Sequence, residues 1–352
     1  MIPFIRYSPS AAVLVLAALA RPAGAADIRT SLGGFVKFQY GFFDRSDGVS
    51  ERRGARTDAE AHVDLSATGD TGIEYGGRIQ LARAAKPRDN GTYLHLHTAW
   101  GAFRLGDYGG AAKELTVSAP TVGIGQIDGD FDVFAGPSAL LTPYKLDNDD
   151  STKLTYLSPE IVGIRLGLSY TPELGSSGTE IVAARRASGI DAHRDVAETA
   201  VAYTRDIGNA TLTAGASYVF GGAKRDAGVR DLSGYGIGAK IAWGGLTFGG
   251  GYVYDGRDTL PLDPRPGHAF IESVVDEINF GATYEFGKWG LGGSWARDAR
   301  AGLPTTDLCG LGAVFHAARG LTFGSDFVYF TVPRGQGDAD GYVVILESAL
   351  HF

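Results

Sequence analysis

The sequence predicts an all-β protein, a transmembrane antiparallel β-barrel of about sixteen strands. Three observations carry that expectation: apolar residues alternate with polar or small ones from Gly33 to Phe352, the connections alternate between tight and long, and no segment after residue 25 is apolar for the roughly 20 residues of a helical span.

The alternation begins with residues 35–43, FVKFQYGFF, where Val36, Phe38, Tyr40 and Phe42 share one face and Lys37, Gln39 and Gly41 the other. It separates Ala61, Val63 and Leu65 from His62, Asp64 and Ser66, and Tyr75, Ile79 and Leu81 from Glu74, Arg78 and Gln80. Leu94 and Leu96 oppose His95 and His97, and Ile164, Leu166, Leu168 and Tyr170 oppose Arg165, Gly167 and Ser169. In the later segments the second face is mostly Gly, Ala, Ser and Thr, as where Leu212, Ala214, Ala216 and Tyr218 alternate with Thr211, Thr213, Gly215 and Ser217. The last strand sets Tyr342, Val344, Leu346, Leu350 and Phe352 on one face. Strands of about ten residues with aromatics at their ends suit a barrel tilted across a bilayer better than a soluble sandwich.

Tight turns are expected at Gly69-Asp70-Thr71, Trp100-Gly101, Pro159-Glu160, Ile207-Gly208, Gly244-Gly245, Gly287-Lys288 and Arg319-Gly320. Between them fall longer polar stretches at 44–59, 85–91, 108–151, 172–194, 221–229, 255–271, 298–304 and 332–340. Seven turns and eight loops give sixteen strands with both termini on the tight-turn side. Short periplasmic turns and long outer loops are the habit of outer-membrane barrels.

Composition agrees. The chain has 52 Gly in 352 residues, about twice the usual share, without a collagen period. At the amino end, Arg6, the apolar run Ala11 to Ala20 and Ala23-Gly24-Ala25 read as a secretory signal cleaved near Ala25. The barrel domain is then 26–352. Without Arg6 and Arg21 it carries 30 basic and 40 acidic residues, a sign that disfavours nucleic acid as a partner. The single cysteine, Cys309, allows no internal disulfide and reads as a small strand residue.

Hydrocarbon requires every backbone amide to be paired, so the sheet must close, with one face toward lipid and the other toward the lumen. A barrel of about eight strands is filled by its own side chains, whereas 16 to 18 strands leave an aqueous channel. The long segment after the fifth strand, 108–151, holds Leu115, Val122, Ile124, Phe131, Phe134 and Leu140, more apolar surface than a free loop carries. A wide lumen gives it somewhere to pack.

The segments YLHLHTAWGAFRLGDYGGAA (93–112), TKLTYLSPEIVGIRLGLSYTPE (152–173) and GYVVILESALHF (341–352) carry a resemblance. With the fifth-strand loop and the terminal Phe352, the chain resembles the general diffusion porins of Gram-negative bacteria, especially trimeric porins of the alphaproteobacterial type. The resemblance spans essentially the whole chain after residue 25. It implies passive diffusion of ions and small hydrophilic solutes, a homotrimer, contact with outer-membrane lipid and lipopolysaccharide, and recognition of the Phe352 strand by the assembly machinery. It also implies that 108–151 folds inward as a constriction. Glu114, Asp128, Asp130 and Asp132 are then the candidate loop acids, and Lys37, Arg78, Arg104 and Lys153 the candidate wall bases. Opposed charges across a watery neck orient dipolar solutes and bias ion selectivity. The acid excess predicts mild cation preference. A substrate-selective channel of similar architecture is the alternative, marked by aromatic tracks along the lumen.

Other chemistries fit less well. Asp128, Asp130 and Asp132 start like a calcium loop, but Val133 stands where that loop needs Gly and no Glu follows at its twelfth place. A looser Ca²⁺ site shared with Asp147, Asp149 or Asp150 stays open; no other cofactor is expected. His95 and His97 share a strand face with His62 nearby, a set that reads as lumen lining more readily than as a metal site. Gly292-Gly293-Ser294-Trp295-Ala296 is a broken nucleophile elbow inside a strand, and no phosphate-binding loop with a following Lys-Ser or Lys-Thr occurs, so an enzyme is not expected.

Overall fold

The computed structural model describes residues 27–46, 53–83, 91–135, 151–174, 193–223, 230–256, 275–300, 305–332 and 339–352. The expected signal segment, and Asp147, Asp149 and Asp150, lie outside these residues.

Each strand is paired antiparallel with its sequence neighbours. The first four are β1 (Arg29–Arg45), β2 (Arg53–Thr68), β3 (Glu74–Arg83) and β4 (Tyr93–Thr98). Next come β5 (Gly101–Asp107), β6 (Thr152–Leu157), β7 (Ile164–Glu173) and β8 (His193–Ile207). They are followed by β9 (Ala210–Ala223), β10 (Leu232–Trp243), β11 (Leu246–Asp255) and β12 (Val275–Phe286). The last are β13 (Trp289–Arg300), β14 (Thr306–Ala318), β15 (Leu321–Val332) and β16 (Ala339–His351). The sheet closes where β1 pairs β16 from Phe35 with His351 to Arg45 with Gly341. Beyond that register the Gly34 N–H donates to the Phe352 carbonyl at 3.0 Å and the Phe352 N–H to the Gly34 carbonyl at 3.1 Å. The terminal residue is thus part of the seam, and the closed sheet has no edge left unpaired.

All seven expected tight turns separate strands in the structure, and the connection 108–151 falls between β5 and β6. The strands reach further than the alternation alone marks: β1 continues to Arg45 and β2 starts at Arg53, where a loop is expected over 44–59. Charged residues at inward positions break no rule inside a wet lumen, so polarity there does not end a strand. At the β10–β11 turn, Gly244 and Gly245 have φ of 55° and 86°. Two consecutive positive φ values are what a two-residue hairpin of matching twist demands, and glycine supplies them without a Cβ clash.

The two faces separate as the period of two requires. Outward side chains are apolar and exposed, among them Phe38, Leu94, Ile237, Phe248, Phe280 and Leu346. Trp243 and Trp289 flank the tight turns, where amphipathic rings meet headgroups. Inward positions hold buried polar groups such as Gln39, Asp58, Glu198, Asn279 and Asp326. No helix among the described residues is long and apolar enough to cross a membrane; the crossing is made by strands.

Candidate functional site

The segment after β5 lies against the inner wall. Its root is held by β6: the Thr152 hydroxyl pairs with the Asp107 carboxylate, and Lys153 Nζ donates to the Tyr108 carbonyl at 2.6 Å. Helix α1 (Ala111–Leu115) follows, with no cap from its own side chains. Its first-turn N–H groups, which have no partner within the helix, need acceptors, and the wall supplies them. Ala111 N donates to Ser169 Oγ at 2.7 Å, and Ala112 N donates to Glu198 Oε2 at 2.8 Å, a carboxylate at the positive end of the helix. Gly110 makes the approach feasible, because a Cβ there would lie 2.1 Å from Glu198 Oε1.

From α1 the chain crosses the wall in extended form. Ala119 N donates to Asn279 Oδ1 at 2.9 Å. A 3₁₀ turn, Gln126–Asp128, forms around Gln126, which is wholly buried and has φ of 50°. The Gln126 side chain bonds both backbone groups of Val122, accepting from its N–H at 3.0 Å and donating to its carbonyl at 2.6 Å. Asp326 on β15 accepts from the Gln126 backbone N–H at 2.6 Å and from Nε2 at 3.0 Å. These bonds hold a non-glycine residue in a left-handed conformation that it seldom adopts.

Helix α2 (Phe131–Ala135) ends the described part of the loop. Phe131 and Phe134 pack with Val328, Phe330, Val343 and Ile345 in the largest apolar cluster. Arg45 Nη1 donates to the Ala135 carbonyl at 2.6 Å.

Two of the candidate loop acids meet candidate bases. Glu114 Oε1 lies 2.9 Å from Arg104 Nη1, and Asp130 Oδ2 lies 2.6 Å from Lys37 Nζ. Asp130 also faces Arg56 at 3.4 Å and accepts from Gln39 Nε2 at 2.7 Å. Burial pushes the Asp130 carboxyl up, but the Lys37 hydrogen bond and charge, with Gln39 and Arg56, outweigh it and hold the group below the usual carboxylate range. These acids and bases touch and do not face one another across a gap. Arg78 is held by its neighbour strand, with Nε and Nη2 at 2.7 and 3.1 Å from the two Asp64 oxygens. Asp128 is exposed and Asp132 half-buried. Lys153, at 3% exposure, is packed at the loop root, where its ammonium donates to the Tyr108 carbonyl. The proposed Ca²⁺ ligand Asp130 is engaged by two cations, and among the described residues no group of three or more His, Cys, Asp or Glu could hold a metal ion.

The described part of the loop packs chiefly on β6–β16 and touches β1, β2 and β5 through Lys37, Arg56 and Arg104; further polar and aromatic groups line β2–β5. There His95 and His97 stack at 5.0 Å, His62 lies between Glu60 and Asp64, and Arg78 and Arg104 flank the Tyr93 ring at 6.0 and 5.8 Å.

A family model described as Gram-negative porin matches residues 11–333. The chain belongs to that family. Solved porin structures share the fold: a porin refined at 1.8 Å superposes with a TM-score of 0.62 at 17% identity, covering 92% of this chain and 100% of the other. An anion-selective porin from Comamonas acidovorans gives 0.62 at 13% identity, with 92% and 100% coverage. A mutant of the Rh. blastica porin gives 0.58 at 15%, again over 92% and 100%. No curated protein sequence matches the chain. As a porin, this barrel forms an outer-membrane channel for passive diffusion, and both family and fold point to a channel and away from an enzyme.

Sequence reasoning missed the residues that hold the loop. Ser169, Glu198, Asn279 and Asp326 all occupy inward positions of their strands, so parity could have flagged them as lumenal. Their partners, backbone groups more than fifty residues away, leave no trace in a local pattern.

Proposed function

We propose that this porin is a general, weakly selective diffusion channel whose solutes pass between the loop and the β2–β5 wall. The observation that carries the reading is that the described part of the loop packs chiefly on β6–β16, while Glu60, His62, Asp64, Glu74, Arg78, His95 and His97 make a mixed polar stretch of wall on β2–β4. Such a wall wets a pore and orients dipoles without offering one solute a fitted pocket. Glu114, Asp128, Asp130 and Asp132 on the loop give the narrow part an acidic border, consistent with mild cation preference.

The working unit in this reading is a homotrimer. The strands β4, β5 and β6 have only 6, 7 and 6 residues. At about 3.3 Å per residue and a tilt near 40°, six residues rise roughly 15 Å, short of an apolar band of about 25 Å. Leu94, Leu105 and Leu154 lie exposed on that short sector. A second copy covers it better than lipid does. The proposed export signal within 1–25 and the proposed recognition of Phe352 by the assembly machinery complete the route to the outer membrane, where lipopolysaccharide surrounds the trimer.

Liposome swelling tests the general reading. Neutral sugars of increasing size should enter at rates that fall smoothly with mass, without saturation. Saturable uptake of one sugar, blocked by that sugar alone, would support the selective channel and refute the general one.

A further inference from the structure

Glycine weakens a strand relative to alanine, so a run of inward glycines on adjacent strands asks for a compensating use. The strands β9–β15 each place an inward glycine beneath the loop. An added Cβ would lie 2.6 Å from the Leu115 carbonyl oxygen at Gly215, 1.8 Å from that of Val117 at Gly238, and 2.7 Å from that of Pro120 at Gly281. At Gly312 it would meet Gln126 Nε2 at 1.9 Å, and at Gly324 it would meet Ile124 Cγ1 at 3.1 Å. The loop thus lies with its own backbone on the backbone of the wall. It is held in that bed by Asn279 and Asp326, which sit on the same strands.

We propose that this glycine bed sets the aperture of the channel. The loop is interposed between wall and lumen, so its distance from the wall subtracts directly from the open cross-section. A side chain in the bed lifts the loop inward and narrows the passage. Gly238 is the most sensitive position, because its neighbour is a backbone carbonyl that no rotamer change can move aside. A methyl there requires the loop to rise by about 1.6 Å to regain a 3.4 Å contact. The inference rests on the channel reading above and adds which residues fix the bore.

The test is single-channel conductance of Gly238→Ala, Gly281→Ala and Gly324→Ala beside the parent, with Gly54→Ala as the control. Gly54 is an inward glycine whose added Cβ meets only Phe134 at 3.9 Å. Heat-modifiable gel mobility establishes that each variant is folded. We expect conductance to fall most in Gly238→Ala, less in Gly281→Ala and least in Gly324→Ala, with Gly54→Ala at the parent value. The size limit for neutral sugars should shift downward in the same order. If Gly238→Ala does not fold, the Gly281 and Gly324 variants carry the comparison. Folded variants that conduct like the parent overturn the proposal while the channel stands. A parent that opens no channel removes both.

Discussion

Asp130 anchors the loop and is also a proposed selectivity residue. It holds α2 to β1 and β2 through Lys37, Arg56 and Gln39 while keeping a quarter of its side chain exposed. Asp130→Asn removes the charge and keeps the shape. We expect the reversal potential under a salt gradient to move toward anions, and an unchanged potential would separate Asp130 from selectivity. Its lowered pKa also sets a pH dependence. The contribution is complete above the ordinary carboxylate pKa and is lost as pH falls through the lower native value, so acid should free this contact only below the usual carboxylate range. Asp326 acts by another route. Asp326→Ala leaves two buried Gln126 donors without their acceptor, at about 1–3 kcal/mol each. The local loop contact should therefore loosen while the barrel stays closed. Limited proteolysis of the folded protein is the measurement: cleavage within 116–130 should quicken, and protection equal to the parent would show that the latch is dispensable.

Among the elements, the seam and the short wall lead to separate expectations. Phe352 completes the β1–β16 pairing through its backbone and turns its ring outward, 54% exposed. Deleting it should slow the appearance of the heat-modifiable form without altering the channel of protein that does assemble, whereas assembly at the parent rate would argue against a signal role. For the short wall, Leu94→Cys in a Cys309→Ser background should be cross-linked between protomers by a bifunctional thiol reagent. Phe248→Cys on β11, equally exposed, should not. The reverse pattern would place the subunit contact on β8–β12. The strands themselves were legible because a period of two with an apolar outer face is a local property. The register shift opposite Ala61 and His62, whose partners are Ala82 and Gln80, was not, since the one extra residue, Leu81 in β3, leaves no break in the local alternation.

For the molecule as a whole, counting turns was enough to reach a closed sheet wide enough for water, because strand number sets barrel diameter. What the loop does inside that sheet was legible only in outline. The resemblance set loop acids facing wall bases across a neck, whereas Glu114 and Asp130 lie in direct contact with Arg104 and Lys37. Lys153, another candidate wall base, is buried at the loop root, a burial decided by the β5–β6 junction and not by the residue's charge. The glycines of β9–β15 read as unremarkable strand residues until the loop lay on them. The most direct test of the account is planar-bilayer recording from the purified protein. A water-filled trimeric porin predicts conductance steps of nanosiemens size that appear and close in threes, scale with bulk salt conductivity and resist block by single solutes. Insertion without steps, or small currents blocked by one solute, would contradict it.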